Sequence, residues 1–413
     1  MRRRIAGNVG WMLLDRCTQV LAGIGVVAIL ARTLGTDGFA AFQYAQSLVF
    51  IGASVALICG GEVVIPRLVA LSDAARQHHL LAHVFRLRLL AAIGGYALVT
   101  SFLLATGQPT QDWWPALILG IAILLREPFG VVIAWMQART ETRPVVLINV
   151  AALVLKVGTV IALALWGIRL TGAYAAAFVL EPVLAATLLC SLYRRRMPVQ
   201  RVRIERDLTR QLLHDGALFW ISFMLMMAAR RVDQLILHPH VDATEFAAYA
   251  ASMQIVDNFT ALAGILASGI APLYVYAKTE RSAGIRSVGK LVVFLLAVGA
   301  AGAIALVVLA PWIVHILYGS AFAKAISLMQ LAILVAPMVF ADVGFTILAA
   351  YLRNPHWIAV KWGVGCAATI AVDLVAIPRL GALGAILGYA VSGALAMLAG
   401  LATWLYARKT QAS

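Results

Sequence analysis

Residues 291–317, LVVFLLAVGAAGAIALVVLAPWIVHIL, contain no aspartate, glutamate, lysine or arginine. At the helical rise of about 1.5 Å per residue, this run is long enough to cross a hydrocarbon core about 30 Å thick. A transmembrane barrel strand would be near 10 residues long and would alternate apolar with polar, and the run does neither. Similar stretches recur from one end of the chain to the other. Of the 413 residues, 62% are hydrophobic, only 12% are charged, and the mean hydropathy is +0.91. A soluble domain carries roughly twice that share of charge, so lipid must be the main solvent here.

The pattern predicts helices over about 9–33, 39–67, 85–106, 114–138, 144–166, 170–192, 216–238, 245–272, 291–317, 325–352, 357–378 and 381–406. Arg2–Arg4 followed by an apolar stretch resemble a signal peptide, but Asp15 and Arg16 interrupt the run and no small-residue cleavage site follows. The segment is therefore expected to be a retained first helix.

A net charge of +15 would suggest nucleic acid in a soluble protein, so its placement matters. With the N-terminus inside, the alternate loops on the inner side carry 24 basic residues and those on the outer side only four: Arg32, Arg169, Lys324 and Arg379. The inner set includes Arg67, Arg86 and Arg88, seven arginines from Arg194 to Arg210, and Arg353 with Lys361. Such an excess orients a membrane protein, here with both termini in the cytoplasm. It reports topology and implies no nucleic-acid partner.

Tyr193–Asp215, YRRRMPVQRVRIERDLTRQLLHD, lies at the midpoint and is read as a basic, headgroup-facing linker at 193–215. It separates a six-helix lobe at 1–192 from another at 216–413. Two internal matches support duplication. Phe39-Ala40-Ala41-Phe42 corresponds to Phe246-Ala247-Ala248-Tyr249, at an offset of 207 residues. Arg169-Leu170 and Gly172-Ala173 correspond to Arg379-Leu380 and Gly381-Ala382, at offsets of 210 and 209. Equal spacing at equivalent helices indicates pseudo-symmetric lobes related by an axis along the membrane normal. The expected fold class is therefore an all-α integral membrane protein of about twelve transmembrane helices in two six-helix lobes.

Ionisable side chains inside membrane helices cost about 2.5–3.5 kcal/mol each on insertion scales, so they face a bundle interior, water or a partner charge. The predicted helices contain Arg16, Arg126, Lys156, Arg230 and Arg231, together with Asp15, Glu62, Glu127, Glu181, Asp233, Asp257, Asp342 and Asp373. In Asp15-Arg16 and Arg126-Glu127 the neighbours point about 100° apart and need other partners or an aqueous lumen between the lobes. Arg230 and Asp233, three apart on one helix face, are placed to neutralise each other. Arg16, Arg126, Lys156, Arg230 and Arg231 are candidates for an anionic head group, since guanidinium groups grip phosphate oxygens in pairs. Asp15, Glu62, Asp257 and Asp342 are candidates for ion coupling.

Other features are read as structural. The four cysteines lack metal or disulfide spacing, and His238-Pro239-His240 has too few ligands for a metal site. Pro128, Pro182, Pro311 and Pro337 are expected to bend or bound helices. There is no phosphate-cradling glycine loop, GxSxG or HExxH, so the chain is not expected to be an enzyme or to need a cofactor.

Asn8-Val9-Gly10-Trp11 with Arg16, then Ala31-Arg32-Thr33-Leu34-Gly35, then Phe39-Ala40-Ala41-Phe42-Gln43-Tyr44-Ala45 resemble the first two helices of Wzx-type polysaccharide flippases. These belong to the multidrug/oligosaccharidyl-lipid/polysaccharide (MOP) superfamily, whose layout is MATE-like. The resemblance implies alternating access by two lobes and a polyprenyl-diphosphate-linked oligosaccharide as substrate. Its pathway would make O-antigen, capsule or exopolysaccharide, with a polymerase and chain-length machinery as associated proteins. It carries a head-group role onto Arg16 alone; the other four bases rest on charge and position. Twelve helices, in place of the fourteen of lipid II flippases, argue against a peptidoglycan precursor. A cation-coupled exporter of the same superfamily is the nearest alternative. A membrane oligosaccharide polymerase would need a large outer loop and no six-plus-six repeat.

Overall fold

The computed structural model describes residues 2–410 apart from 108–109, 198–201, 204, 279 and 353–354. Arg201 and Arg353 of the inner basic set thus lie outside the described residues. The described residues form no β-strand, and their α-helices are α1 (Arg2–Ala56), α2 (Gly61–Ala70), α3 (Ala74–Thr106), α4 (Thr110–Ala138), α5 (Arg143–Leu165), α6 (Thr171–Arg196) and α7 (Arg206–Ala229). They continue with α8 (Val232–Leu237), α9 (Ala243–Ala271), α10 (Arg281–Leu317), α11 (Lys324–Ile333), α12 (Ala336–Tyr351), α13 (Pro355–Leu380) and α14 (Ala382–Lys409).

Among the described residues, eleven helical stretches are long and apolar enough to cross a membrane. The first, Leu14–Ala70, has 57 residues, well beyond what one crossing needs. Gly35 interrupts α1 with φ 69° and ψ −171°, a conformation costly for any residue with a Cβ. This stretch therefore accommodates two of the twelve predicted helices. Trp166, Leu165, Trp312 and Ile316 stand 61% to 82% exposed, as side chains solvated by lipid do. The chain is a multi-pass membrane protein.

Three predicted helices are broken. The helix expected over 39–67 stops at Ala56 and resumes at Gly61, with Cys59 at φ 53° in the left-handed region. The helix expected over 216–238 stops at Ala229 and resumes at Val232. The helix expected over 325–352 divides into α11 and α12, with Pro337 in the first turn of α12, where its missing N–H costs nothing. Pro128, Pro182 and Pro311 lie inside helices.

The chain forms two compact units, Met1–Met224 and Leu225–Ser413. The division falls within α7, whose first part packs on the first unit. Trp220 Nε1 donates to the Val55 carbonyl at 3.1 Å, the Cys59 thiol reaches the Leu212 carbonyl at 3.5 Å, and Arg67 pairs with Asp215. The apolar core here surrounds Trp135, Val84, Leu81 and Leu212. In the second unit the core surrounds Phe340, Leu295 and Leu348.

The repeated motifs are buried in corresponding ways. Phe39, Phe42, Phe246 and Tyr249 are all within 1% of complete burial. The Phe42 ring meets Phe178 of α6 edge-on at 4.9 Å. In the second unit, Asp242 caps α9 by accepting from the Glu245 N–H at 2.6 Å, and Glu245 accepts from the Ala382 N–H at 2.9 Å. One carboxylate thus joins the start of α9 to the start of α14, satisfying an N–H that a helix N-terminus otherwise leaves open.

Candidate functional site

In the second unit, the break between α7 and α8 opens onto a mainly apolar cavity of about 290 Å³ that carries a few charged and polar groups. Arg230, Asp233, Asp257, Asp342, Thr346 and Tyr389 contribute to its lining. The structure therefore brings together four of the predicted residues here: Arg230, Asp257 and Asp342 in the wall, and Arg231 through a 2.8 Å ion pair with Asp257. The predicted Arg230–Asp233 pair does not form. Ending α7 at Ala229 removes the helical three-residue relation between them, and Asp233 instead accepts from the Tyr249 hydroxyl. Among the described residues, no carboxylate pairs with Arg230.

Lys361, read as a loop lysine, lies on α13 and is largely buried. Its ammonium contacts both oxygens of Asp342, at 2.8 and 3.0 Å, and the Thr346 hydroxyl at 2.9 Å. These contacts satisfy all three ammonium donors, as a buried ion pair requires. Sequence separation concealed the pair, since Asp342 and Lys361 are on different helices.

Two buried acids stand apart. Asp233 and Asp373 are 5% and 0% exposed, and three of their four oxygens have no hydrogen-bond partner among the described residues. Packing of α8 against α13 places them within electrostatic range of each other. Gly388 abuts Asp373 so closely that a Cβ there would lie 2.8 Å from the carboxyl carbon. Among the described residues Asp373 thus has no hydrogen-bond partner on either oxygen and Asp233 has the Tyr249 hydroxyl, so buried acceptor capacity is left unsatisfied on both acids. Among the described residues, no group of three or more metal-ligating side chains occurs.

In the first unit the predicted residues are dispersed. Asp15 accepts from Gln19 at 3.2 Å and from Asn149 of α5 at 3.3 Å, while Arg16 is exposed. Lys156, two turns beyond Asn149 on the same face of α5, pairs with Glu181 and sits 5.1 Å from the Phe178 ring centroid. Arg126 and Glu62 are exposed. Neither Arg16 nor Arg126 has an ion pair among the described residues.

The sequence reading missed Arg88, which it assigned to the basic inner set. Arg88 is 5% exposed and donates to the carbonyls of Ile58 at 3.2 Å, Cys59 at 2.8 Å and Glu127 at 3.2 Å. It thereby satisfies the backbone exposed by the break between α1 and α2. With Arg88 and Lys361 reassigned as interior groups, the inner basic set numbers 22 against four. The asymmetry survives.

A family model for polysaccharide biosynthesis proteins matches residues 5–273, more than half of the chain. The chain belongs to this polysaccharide biosynthesis family. Solved structures share the fold of this chain. The lipid II flippase MurJ in an inward closed conformation superposes with a TM-score of 0.74 at 12% identity, covering 96% of this chain and 89% of that one. An inward-facing multidrug resistance MATE transporter of the MOP superfamily gives 0.70 at 14% identity, covering 95% and 94%. A MOP superfamily transporter from Pyrococcus furiosus gives 0.54 at 13% identity, covering 98% and 92%. These likenesses show the fold. No protein of curated function matches the chain in sequence.

Proposed function

We propose that this member of the family is a flippase that carries a polyprenyl-diphosphate-linked oligosaccharide from the cytoplasmic to the periplasmic leaflet of a bacterial inner membrane. Its two units would act by alternating access, supplying O-antigen, capsule or exopolysaccharide assembly alongside a polymerase and chain-length proteins. The observation that carries this reading is the family match joined to unneutralised arginines on membrane helices. Arg16, Arg126 and Arg230 have no ion pair among the described residues, whereas Lys156 and Arg231 are engaged by Glu181 and Asp257. A diphosphate would therefore draw first on Arg16, Arg126 and Arg230, with Lys156 and Arg231 contributing on exchange of partners.

For coupling, Asp257 and Asp342 are held by Arg231 and Lys361, Asp15 by amides, and Glu62 is exposed. Asp233 and Asp373 supply the better-suited pair, because binding a proton or cation there satisfies buried acceptor oxygens. A cation-coupled exporter would use the same two buried acids.

The test is translocation in proteoliposomes of the purified chain with a labelled polyprenyl-diphosphate oligosaccharide. Protein-dependent flipping that falls at least tenfold in Arg16→Ala and Arg230→Gln, with insertion unchanged, supports the reading. Exchange of cationic drugs for protons without any sugar-lipid movement would install the exporter in its place.

A further inference from the structure

The basic segment at 193–215 reads as a headgroup-facing linker, yet its last part forms the start of α7 and lines a pocket. A cavity of about 460 Å³ lies within the first unit, between α3 and α7. Arg86 of α3 and Arg206 and Arg210 of α7 converge on it. Among the described residues none of the three has an ion pair. Glu205, immediately before α7, is drawn away by His79 at 3.3 Å, and Asp207 pairs with neither Arg206 nor Arg210.

The rest of the wall is His83, Thr209 and three leucines, Leu87, Leu90 and Leu213. Arg86, Leu90 and Ile93 fall on one face of α3, and Leu90 and Ile93 are 58% and 51% exposed. On α7 the order Arg206, Arg210, Leu213 makes the same passage from charge to hydrocarbon. Both helices run from a charged end into an apolar stretch, so the site is cationic at one end and greasy at the other. A free anion would use only the charged end, while an amphiphile uses both.

We propose that this pocket binds an anionic phospholipid, its phosphate held by Arg86, Arg206 and Arg210 and its acyl chains laid along Leu90, Ile93 and Leu213. Three arginines match phosphate oxygens in charge and in donor geometry, and an adjacent lipid-facing leucine track accommodates the chains. The site is independent of the transport reading, since binding is measured without the sugar lipid.

The full chain, purified in detergent, is titrated with phosphatidylglycerol and phosphatidylcholine and followed by native mass spectrometry. The wild type should retain phosphatidylglycerol at least tenfold better. Each arginine near an anionic headgroup is worth about fivefold, so R86Q/R206Q/R210Q should weaken phosphatidylglycerol binding on the order of a hundredfold. R139Q/R194Q/R195Q removes the same charge elsewhere and should leave binding unchanged. If the first triple variant does not fold, R210Q alone should cost about fivefold, and R86K/R206K/R210K, which keeps the charge but loses the paired donors, should bind between the wild type and R86Q/R206Q/R210Q. Equal loss in both triple variants would mean diffuse attraction to anionic surfaces and overturn the site. Undiminished binding in R86Q/R206Q/R210Q or R210Q, or saturation by inorganic phosphate as readily as by the lipid, would also overturn it.

Discussion

Replacing Arg88 with alanine should loosen the segment between α1 and α2. The guanidinium serves three carbonyls, and those of Ile58 and Cys59 lie in the break with no helical N–H to replace it. The Glu127 carbonyl is inside α4, where the N–H four residues on remains in reach. Two buried carbonyls would thus be stranded at about 1–3 kcal/mol each, partly offset because a desolvated cation is removed. A net loss of about 3 kcal/mol follows, which raises the local opening constant on the order of a hundredfold. The assay is maleimide labelling of Cys59, which is fully buried, in a C17S/C190S/C366S background. R88A should label on the order of a hundredfold faster than this parent, and R88K, with a single rotating ammonium, should fall between them. Labelling at the parental rate would show that Arg88 does not hold the break.

Three further outcomes are expected. Lys156→Met should destabilise the detergent-purified protein by about 3 kcal/mol by stranding Glu181, while K156M/E181Q should recover most of that loss in the same thermal unfolding assay. Asp373→Asn should leave the fold intact, because it removes a buried partnerless charge, but should abolish gradient dependence in the flipping assay; full retention of that dependence would remove Asp373 from coupling. Gly388→Ala should push Asp373 aside and reduce transport like D373N, with an added loss of about 1–3 kcal/mol in thermal stability from overpacking.

What the sequence by itself determined is the membrane class, the set of about twelve long apolar stretches and the duplicated plan. These depend on properties that accumulate locally: apolar runs such as 291–317, glycine at position 35, and basic residues that collect on alternate loops. The FAAF and FAAY motifs were legible for the same reason, since each is a contiguous set whose burial follows from its own helix. Only the tertiary structure decided the state of each intramembrane charge. Pairing depends on which helices touch, and a break of two or three residues changes it. Arg88 and Lys361 read as topogenic charges until carbonyls from a broken helix and a carboxylate nineteen positions upstream were brought to them. Arg230 and Asp233 read as a pair until the end of α7 at Ala229 separated them. The cost of an unpaired charge in lipid requires that each buried cation find a partner, but it does not say which one. That choice belongs to the packing.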